Sequence, residues 1–397
     1  MEEKRLKATK ILSELISAFT ISILLIPESI AFSYILGLSP AVGLHSTMIM
    51  SLVTSFIGGC PALVSGSTAA VATSLVGVKS VLGDEYIFVA VVLGGLIQLF
   101  MAFTSLYKYI FEIPASVSSG FLISLAFLIA HSQINNFKDE KGNWLKTDML
   151  DVTILLTIIS TFITVYGFIL FKFKSFASGF INFPGGLLSI ILLYLLTIAF
   201  GNTLPVQRIG DRRDFGTSLP SLHIPKVEWT LMNFLKVLPF SIGMAIAGLT
   251  ESLFMVKEAS GQFRIPETLF QDSIAQGIAN IISGACGGIG GCVLVGQSKF
   301  NIENGSTTRF SSICTSLLFI CSTLFFSSTI KQIPMPALIG IMFAIAIKSG
   351  DWQSLYKKFD NEWVTTLFTS LVGASSGSLA AAVILGSLFH TFMTMKK

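Results

Sequence analysis

The sequence predicts an all-α polytopic membrane protein in which fourteen hydrophobic elements form a 7+7 inverted repeat. Three observations lead there. The 397 residues are 52% hydrophobic and only 12% charged, about half the charge fraction of a soluble domain. Apolar runs of roughly 17–25 residues, the length a helix needs to cross a bilayer, recur from end to end. And the string GGCPALVSGST, Gly58 to Thr68, is echoed in the second half by GGCVLVGQSK, Gly290 to Lys299.

The first element, 11–35, follows the basic leader MEEKRLKATK and carries Pro27 and Glu28 midway. The leader has no short apolar stretch ending in a small-residue cleavage site, so residues 1–10 read as a cytosolic segment and not as a removed signal. The second element, 40–58, opens at Pro40 and closes on Gly58-Gly59; the third, 66–80, follows the first echoed string. Elements four to seven, 85–107, 113–132, 150–171 and 184–200, are apolar runs separated by polar or Pro/Gly-bearing breaks. The polar, turn-rich stretch 201–232, with RIGDRRDFG inside it, is a linker between the repeats 11–200 and 233–397. The second repeat runs 233–257, 269–286, 294–304, 309–330, 334–348, 360–374 and 376–393. Elements 66–80 and 294–304 are too short to span ~30 Å of hydrocarbon as helices, and both follow the echoed string. The chain stops at FMTMKK, which leaves no room for a soluble C-terminal domain.

Seven elements per half is an odd number, so the second half enters the membrane from the opposite side, the arithmetic of an inverted repeat. A cytosolic N-terminus puts the larger share of the 26 Lys and Arg inside, with both termini cytosolic in a plasma or inner membrane. The NGS sequon at Asn304 then falls in the cytosol.

In hydrocarbon, non-helical backbone is tolerable only where protein buries it or where it lines a cavity. Two such lead-ins crossing head-on would aim two helix N-termini at one point. Each N-terminus carries about half a positive charge and several free N–H donors, which together make an anion site without a fixed cation. The candidate donors are the backbone at Ser65, Gly66, Ser67, Thr68, Leu294, Val295 and Gly296, with the side chains of Ser67, Thr68, Gln297 and Ser298. Against this stands the reading that Gly and Ser merely pack helices, as small residues do in membranes. The repetition at matching positions favours a site.

Two acids lie inside apolar elements: Glu28 in LLIPESIAFSY and Glu251 in AIAGLTESLFMV. A charge at the bilayer centre costs at least ~2.5–3.5 kcal/mol, so such residues face a bundle interior and mark ion pathways. Glu251 is the candidate carrier of a coupling ion, and Glu28 the candidate wall of the substrate cavity. The plainer alternative pairs them with Lys299, Lys257 or an outer polar group. Lys299 itself reads as a snorkelling cation one turn into its short helix.

Other chemistries are not supported. The five cysteines, Cys60, Cys286, Cys292, Cys314 and Cys321, lie in or beside apolar segments with no CxxC pair and read as packing residues. His45, His131, His223 and His390 are scattered, without metal-ligand spacing. No GxxxxGK[ST], GxSxG or HExxH occurs, so neither ATP-driven pumping nor a membrane hydrolase has support. The net charge of +4 is small and spread out, which gives no footprint for nucleic acid.

Three stretches resemble the SulP anion-transporter family: IPESIAFSYILGLSPAVGLHSTM its first span, GGCPALVSGSTAAVAT its third element, and DSIAQGIANIISGACGGIGGCVLVGQSKFNIENGSTTRFSS its ninth and tenth. The last of these has the form found in bacterial sulfate- and bicarbonate-type members, and the resemblance covers residues 10–393. It implies a core domain of elements 1–4 and 8–11 and a gate domain of elements 5–7 and 12–14. It places the anion near Ser67, Thr68, Leu294, Val295 and Gly296, with Glu28 beside it, and matches Glu251 to an acid that couples cations in some members.

Departures bear on mechanism. Many members have an arginine where this chain has Gln297, which implies weaker anion affinity or a charge balance left to the helix dipoles. Sodium-coupled bicarbonate members add hydroxyls around the acid, where this chain has Met255 and Val295, so the resemblance favours protons over sodium. Pro often stands where this chain has Ser67, and the cytosolic STAS domain common in the family has no counterpart here.

The expectation is a non-enzymatic secondary transporter of sulfate or bicarbonate, without cofactor or metal, working by alternating access through proton symport or anion exchange. Its partners are a small inorganic anion, a proton or sodium, and the lipid bilayer; a homodimer is compatible with it. The alternatives are a nucleobase:cation symporter of the same fold, an anion channel, or a non-transporting scaffold.

Overall fold

A computed structural model describes the chain apart from residues 1, 139–142, 171, 176–178, 183–184, 201–203, 213–217, 264–267, 304, 357–358 and 396–397. Asn304 of the sequon, and Lys141, Arg213, Arg264, Lys357, Lys358, Lys396 and Lys397 among the basic residues used for orientation, lie outside the described residues.

Seventeen α-helices and four short strands are described. The first half of the chain holds α1 (Glu2–Ile35), α2 (Pro40–Ile57), β1 (Ser65–Gly66), α3 (Ala69–Leu82), α4 (Glu85–Phe103), α5 (Tyr107–Phe111), α6 (Ala115–Ser132), α7 (Thr147–Leu170), β2 (Lys172–Ser175), β3 (Gly179–Asn182) and α8 (Gly185–Phe200). The linker carries α9 (Ile209–Arg212). The second half holds α10 (Leu231–Phe263), α11 (Leu269–Ala285), β4 (Cys292–Val293), α12 (Val295–Glu303), α13 (Arg309–Phe325), α14 (Ser327–Lys331), α15 (Met335–Ser349), α16 (Asn361–Ser376) and α17 (Leu379–Met395). Among the described residues six helices are long and apolar enough to cross a membrane, and five shorter ones are apolar over 10–17 residues.

Local chemistry fixes the boundaries. Helix α2 starts with Pro40 in its first turn, where no intrahelical N–H is needed. Thr68, Thr308 and Asp360 cap α3, α13 and α16 by accepting from Val71 N, Phe310 N and Trp363 N, satisfying one of the donors a helix start leaves over. Pro27 and Pro239 sit inside α1 and α10. Each removes an i→i−4 bond, which a helix inside a bundle tolerates because neighbouring groups re-satisfy the freed carbonyl.

Several elements differ from the expected ones. Helix α1 extends back through the leader to Glu2, since that segment is rich in Glu, Lys, Leu and Ala, all strong helix formers. The fourth element breaks into α4 and α5 at Ser105, whose φ of 61° leaves the helical region. The fold is not wholly α: β2 pairs with β3 in a hairpin between α7 and α8, and β1 pairs with β4 across the two halves of the chain. Residues 65 and 66 therefore belong to a strand, and the third helix begins at Ala69. The linker's Ile209 N donates to Ile333 O, and Met335 N donates to Gln207 O; farther along, His223 N donates to Ala285 O.

Two groups of helices emerge from the packing. In one, α11 lies on α4 and α2, α10 on α3 and α4, and α1 and α2 on α13. In the other, α16 lies on α6 and α17, and α15 on α7 and α6, with α8 against α7. The tightest seam is α4–α11: a Cβ on Gly95 would stand 2.6 Å from Gly277 O, so small residues let the two backbones touch. An apolar cluster including Phe32, Leu36, Val78, Phe121, Leu125 and Met342 fills the space between the groups.

Candidate functional site

The two echoed strings meet. Ser65 pairs with Val293 and Gly66 with Cys292 in an antiparallel crossing, extended by Leu294 N donating to Val64 O at 2.8 Å. The backbones approach so closely that a Cβ on Gly291 would stand 1.9 Å from Gly66 O; only glycine fits. Each strand then runs directly into a short helix, α3 of 14 residues and α12 of 9. The first N–H groups of both helices have no carbonyl within the helix to bond.

These helix starts border a cavity of about 1070 Å³ lined by Glu28, Thr68, Ala69, Glu251, Gly296 and Gln297, with Leu294 and Val295 also in its wall. A Cβ on Gly296 would meet no atom within 4 Å, so the α12 tip is open to the cavity. Phe121, Leu122, Leu125 and Ile129 of α6 form the facing apolar wall.

Not every expected residue faces this space. The hydroxyls of Ser65, Ser67 and Ser298 serve the scaffold. Ser65 Oγ accepts from Gln276 Nε2 at 2.9 Å. Ser67 Oγ accepts from Thr47 Oγ1 and donates to Gly43 O. Ser298 Oγ accepts from Val64 N at 2.9 Å and donates to Val64 O. With Gly66 in the strand pair, these four positions hold the crossing together and do not line the cavity. The reason is general: a strand and a helix start buried among helices must have their polar groups bonded by whatever lies next to them.

The two acids do face it. Glu28 and Glu251 are 6% and 8% exposed, and both line the cavity. Glu28 Oε2 accepts from Gln297 Nε2 through a short hydrogen bond that ties α1 to the tip of α12. Glu251 Oε2 accepts from Cys292 Sγ at 3.0 Å, and the same sulfur lies 3.0 Å from Thr68 Oγ1. Cys292 thus joins the acid of α10 to the cap of α3, a link the sequence did not suggest because a thiol in an apolar string reads as packing. Lys299 pairs with Glu258 at 2.6 Å and not with either cavity acid. Met255 is fully buried in a separate apolar cluster with Cys60 and Val293.

The rim carries Lys257, Glu258, Lys299, Lys348 and Asp351. It sits toward the C-terminal ends of α10, α12 and α15. Just beyond α12, Thr307 N and Thr308 Oγ1 donate to Glu14 in the early turns of α1. The open end is therefore on the side of the chain's N-terminal helix start. No group of three or more His, Cys, Asp or Glu suited to a metal occurs among the described residues.

Apolar helices of membrane length around a cavity that opens to one side are those of a multi-pass membrane protein. Residues 11–365 match the model of the sulfate permease family. The chain is 30% identical over 345 residues to the putative sulfate transporter YbaR of Bacillus subtilis (strain 168), covering 86% of this chain and 67% of that protein. It is 24% identical over 405 residues to the bicarbonate transporter BicA of Synechocystis sp., covering 97% and 70%. Its fold is similar to that of the solved transmembrane domain of a cyanobacterial BicA, with a TM-score of 0.76, 22% identity and 96% of each chain covered. The overall structure of SLC26A9 gives a TM-score of 0.77 at 16% identity, over 97% of this chain and 65% of that one. The chain belongs to the sulfate permease family, whose members are membrane transporters and not enzymes.

Proposed function

We propose that this chain is a secondary active transporter of a small inorganic anion, sulfate or bicarbonate, that works by alternating access. The observation that carries this reading is the β1–β4 crossing, from which α3 and α12 start at one cavity. Two helix starts with unbonded N–H groups favour negative charge. YbaR and BicA, named as sulfate and bicarbonate transporters, support the substrate class.

The site is formed by the first turns of α3 and α12, Thr68, Gln297 and the wall from Leu294 to Gly296, with Ser65, Gly66, Ser67 and Ser298 holding the tips in place. The helix group around α10 and α11 is the core that carries the site, and the group around α15 and α16 is the gate. The two halves are an inverted repeat of seven, and both termini are cytosolic. With that orientation the cavity faces the cytosol, and the apolar cluster around Phe32, Leu36 and Leu125 closes the other side.

Glu251 carries the coupling proton. An ionised carboxylate beside a buried anion would repel it, and a proton moving with the anion removes that repulsion. The test is uptake of labelled sulfate and of labelled bicarbonate by purified protein in vesicles, with and without an imposed pH gradient. Gradient-driven accumulation of one anion, abolished in Glu251→Gln, is expected. Equal rates with and without the gradient, and no effect of Glu251→Gln, would remove the coupling; no flux of either anion would remove the substrate class.

A further inference from the structure

Helix α11 contributes nothing to the cavity wall, yet it is lined with buried polar groups. Asp272, Gln276, Asn280 and Ser283 are all 4% exposed or less. They stand at i, i+4, i+8 and i+11, a spacing that lays side chains along one stripe of a helix. Every one of them bonds one of the two crossing segments.

Asp272 Oδ1 accepts from Gly59 N at 2.8 Å, and both its oxygens accept from Cys60 N. Gln276 Nε2 donates to Ser65 Oγ at 2.9 Å. Asn280 bonds Gly291 twice: its Oδ1 accepts from Gly291 N at 2.9 Å, and its Nδ2 donates to Gly291 O at 3.0 Å. Ser283 Oγ accepts from Gly290 N at 3.2 Å. The lower two rungs hold the first lead-in and the upper two hold the second. Gly290, with φ of 69°, turns its backbone toward this helix in a conformation that only glycine takes readily.

We infer that Asp272, Gln276, Asn280 and Ser283 are positioning residues: a ladder on one rigid helix that sets the alignment of the two helix tips and, through it, the affinity for the anion. The inference rests on the reading of those tips as the substrate site. Neither lead-in can supply its own backbone bonds, because each is strand for only two residues, and orphaned polar groups are not tolerated at membrane depth. One helix bonding both segments makes the tips a single body. The glycine seam between α11 and α4, and the bond from Asn280 Nδ2 to Gln98 Oε1 at 2.9 Å, fix that body to the helix behind it.

Gln276 is the rung to test. It makes a single bond to the crossing, and its Oε1 has no partner among the described residues, so its removal leaves few groups orphaned. Gln276→Leu, Ser65→Ala and the double variant are compared by concentration-dependent uptake of sulfate and bicarbonate. Backbone hydrogen exchange over residues 58–68 and 288–298 is measured on the same protein. Each single variant is expected to raise KM by about fivefold with Vmax retained, the net size of one hydrogen bond. The double variant should match the singles, since both remove the same bond, and exchange should rise in both segments. Unchanged exchange, or effects on KM that multiply in the double variant, would overturn the ladder. Faster exchange with no change in KM for either anion would leave the ladder holding the strands and remove the site from between the tips.

Discussion

Replacing Gly291 by Ala tests whether the strand crossing sets the anion site. The new Cβ would stand 1.9 Å from Gly66 O, whereas ordinary contact begins at 3.4 Å, so one strand must withdraw by about 1.5 Å. With about half a positive charge per helix tip, an effective dielectric of ~20 and about 4 Å to the anion, a tip contributes roughly 2 kcal/mol per unit of anion charge. A retreat of about 1.5 Å removes about a quarter of that, roughly 0.6 kcal/mol for a monovalent anion and twice as much for a divalent one. KM should therefore rise about 3-fold for bicarbonate and about 7-fold for sulfate. The control is Gly261→Ala, on α10 and outside the cavity wall, whose added Cβ meets no atom within 4 Å and so leaves the backbone in place. Uptake by variants reconstituted in vesicles, after gel filtration shows them intact, gives both constants. An intact Gly291→Ala protein with unchanged KM for both anions would refute the account. So would an equal rise for the two, because a purely structural defect has no reason to sort anions by charge.

Three further outcomes are expected. Gln297→Glu sets a carboxylate against Glu28, to which Gln297 now donates; like charges in contact disfavour any further negative charge, so anion uptake should be lost with the fold intact, and unimpaired uptake would take Gln297 out of the site. Removing the thiol link in Cys292→Ala should weaken uptake by several-fold, about 1 kcal/mol for one hydrogen bond, while Cys292→Ser, which restores a donor between Thr68 and Glu251, should recover it; equal activity of the two variants would show that the link is idle. In a background without the five native cysteines, cysteines placed at Ser119 and Ser349, both in the cavity wall, should react with a membrane-impermeant thiol reagent from the side bearing the N-terminus, and reaction only from the other side would invert the orientation.

Much of this architecture is written in the sequence as interruptions of an apolar text. The recurrent Gly-Gly-Cys strings announced two irregular breaks, because the hydrophobic runs stop and restart on glycine and serine at matching places in the two halves. Glu28, Glu251 and Gln297 stood out for the same reason, polar groups where polarity is expensive, and all three border the cavity. The serines were harder to read. Ser65, Ser67 and Ser298 have the composition of a binding loop, but which way a hydroxyl points depends on the neighbour beside it, and here Gln276, Thr47 and the Val64 backbone are those neighbours. The strands β1 and β4 left no trace, since two residues are too few for a period of two to show. Asp272, Gln276 and Asn280 were in view at helical spacing, yet their purpose lies in segments far along the chain, Gly59, Ser65 and Gly291, that only the fold brings to them.

The order of charges along the cavity bears on the proposed coupling. At the rim stand Lys257, Lys299 and Lys348 with Glu258 and Asp351, a mixed ring in which cations outnumber acids and in which Lys299 is held by Glu258. Deeper in, the titratable side chains in the wall are the acids Glu28 and Glu251. An anion moving inward thus passes from surroundings of net positive charge to one whose fixed charges are negative, with the helix tips as the attraction left to it. Two tips of about half a charge each offset one carboxylate but not two together with the anion. With the anion seated in the proposed site, at least one of these acids would have to be neutral. Glu28 accepts a bond from Gln297 on the tip itself, whereas Glu251 is bonded by the weakly donating thiol of Cys292. In the proposed cycle, loss of the anion to either side removes the negative charge that favoured the bound proton, so the proton would leave with it.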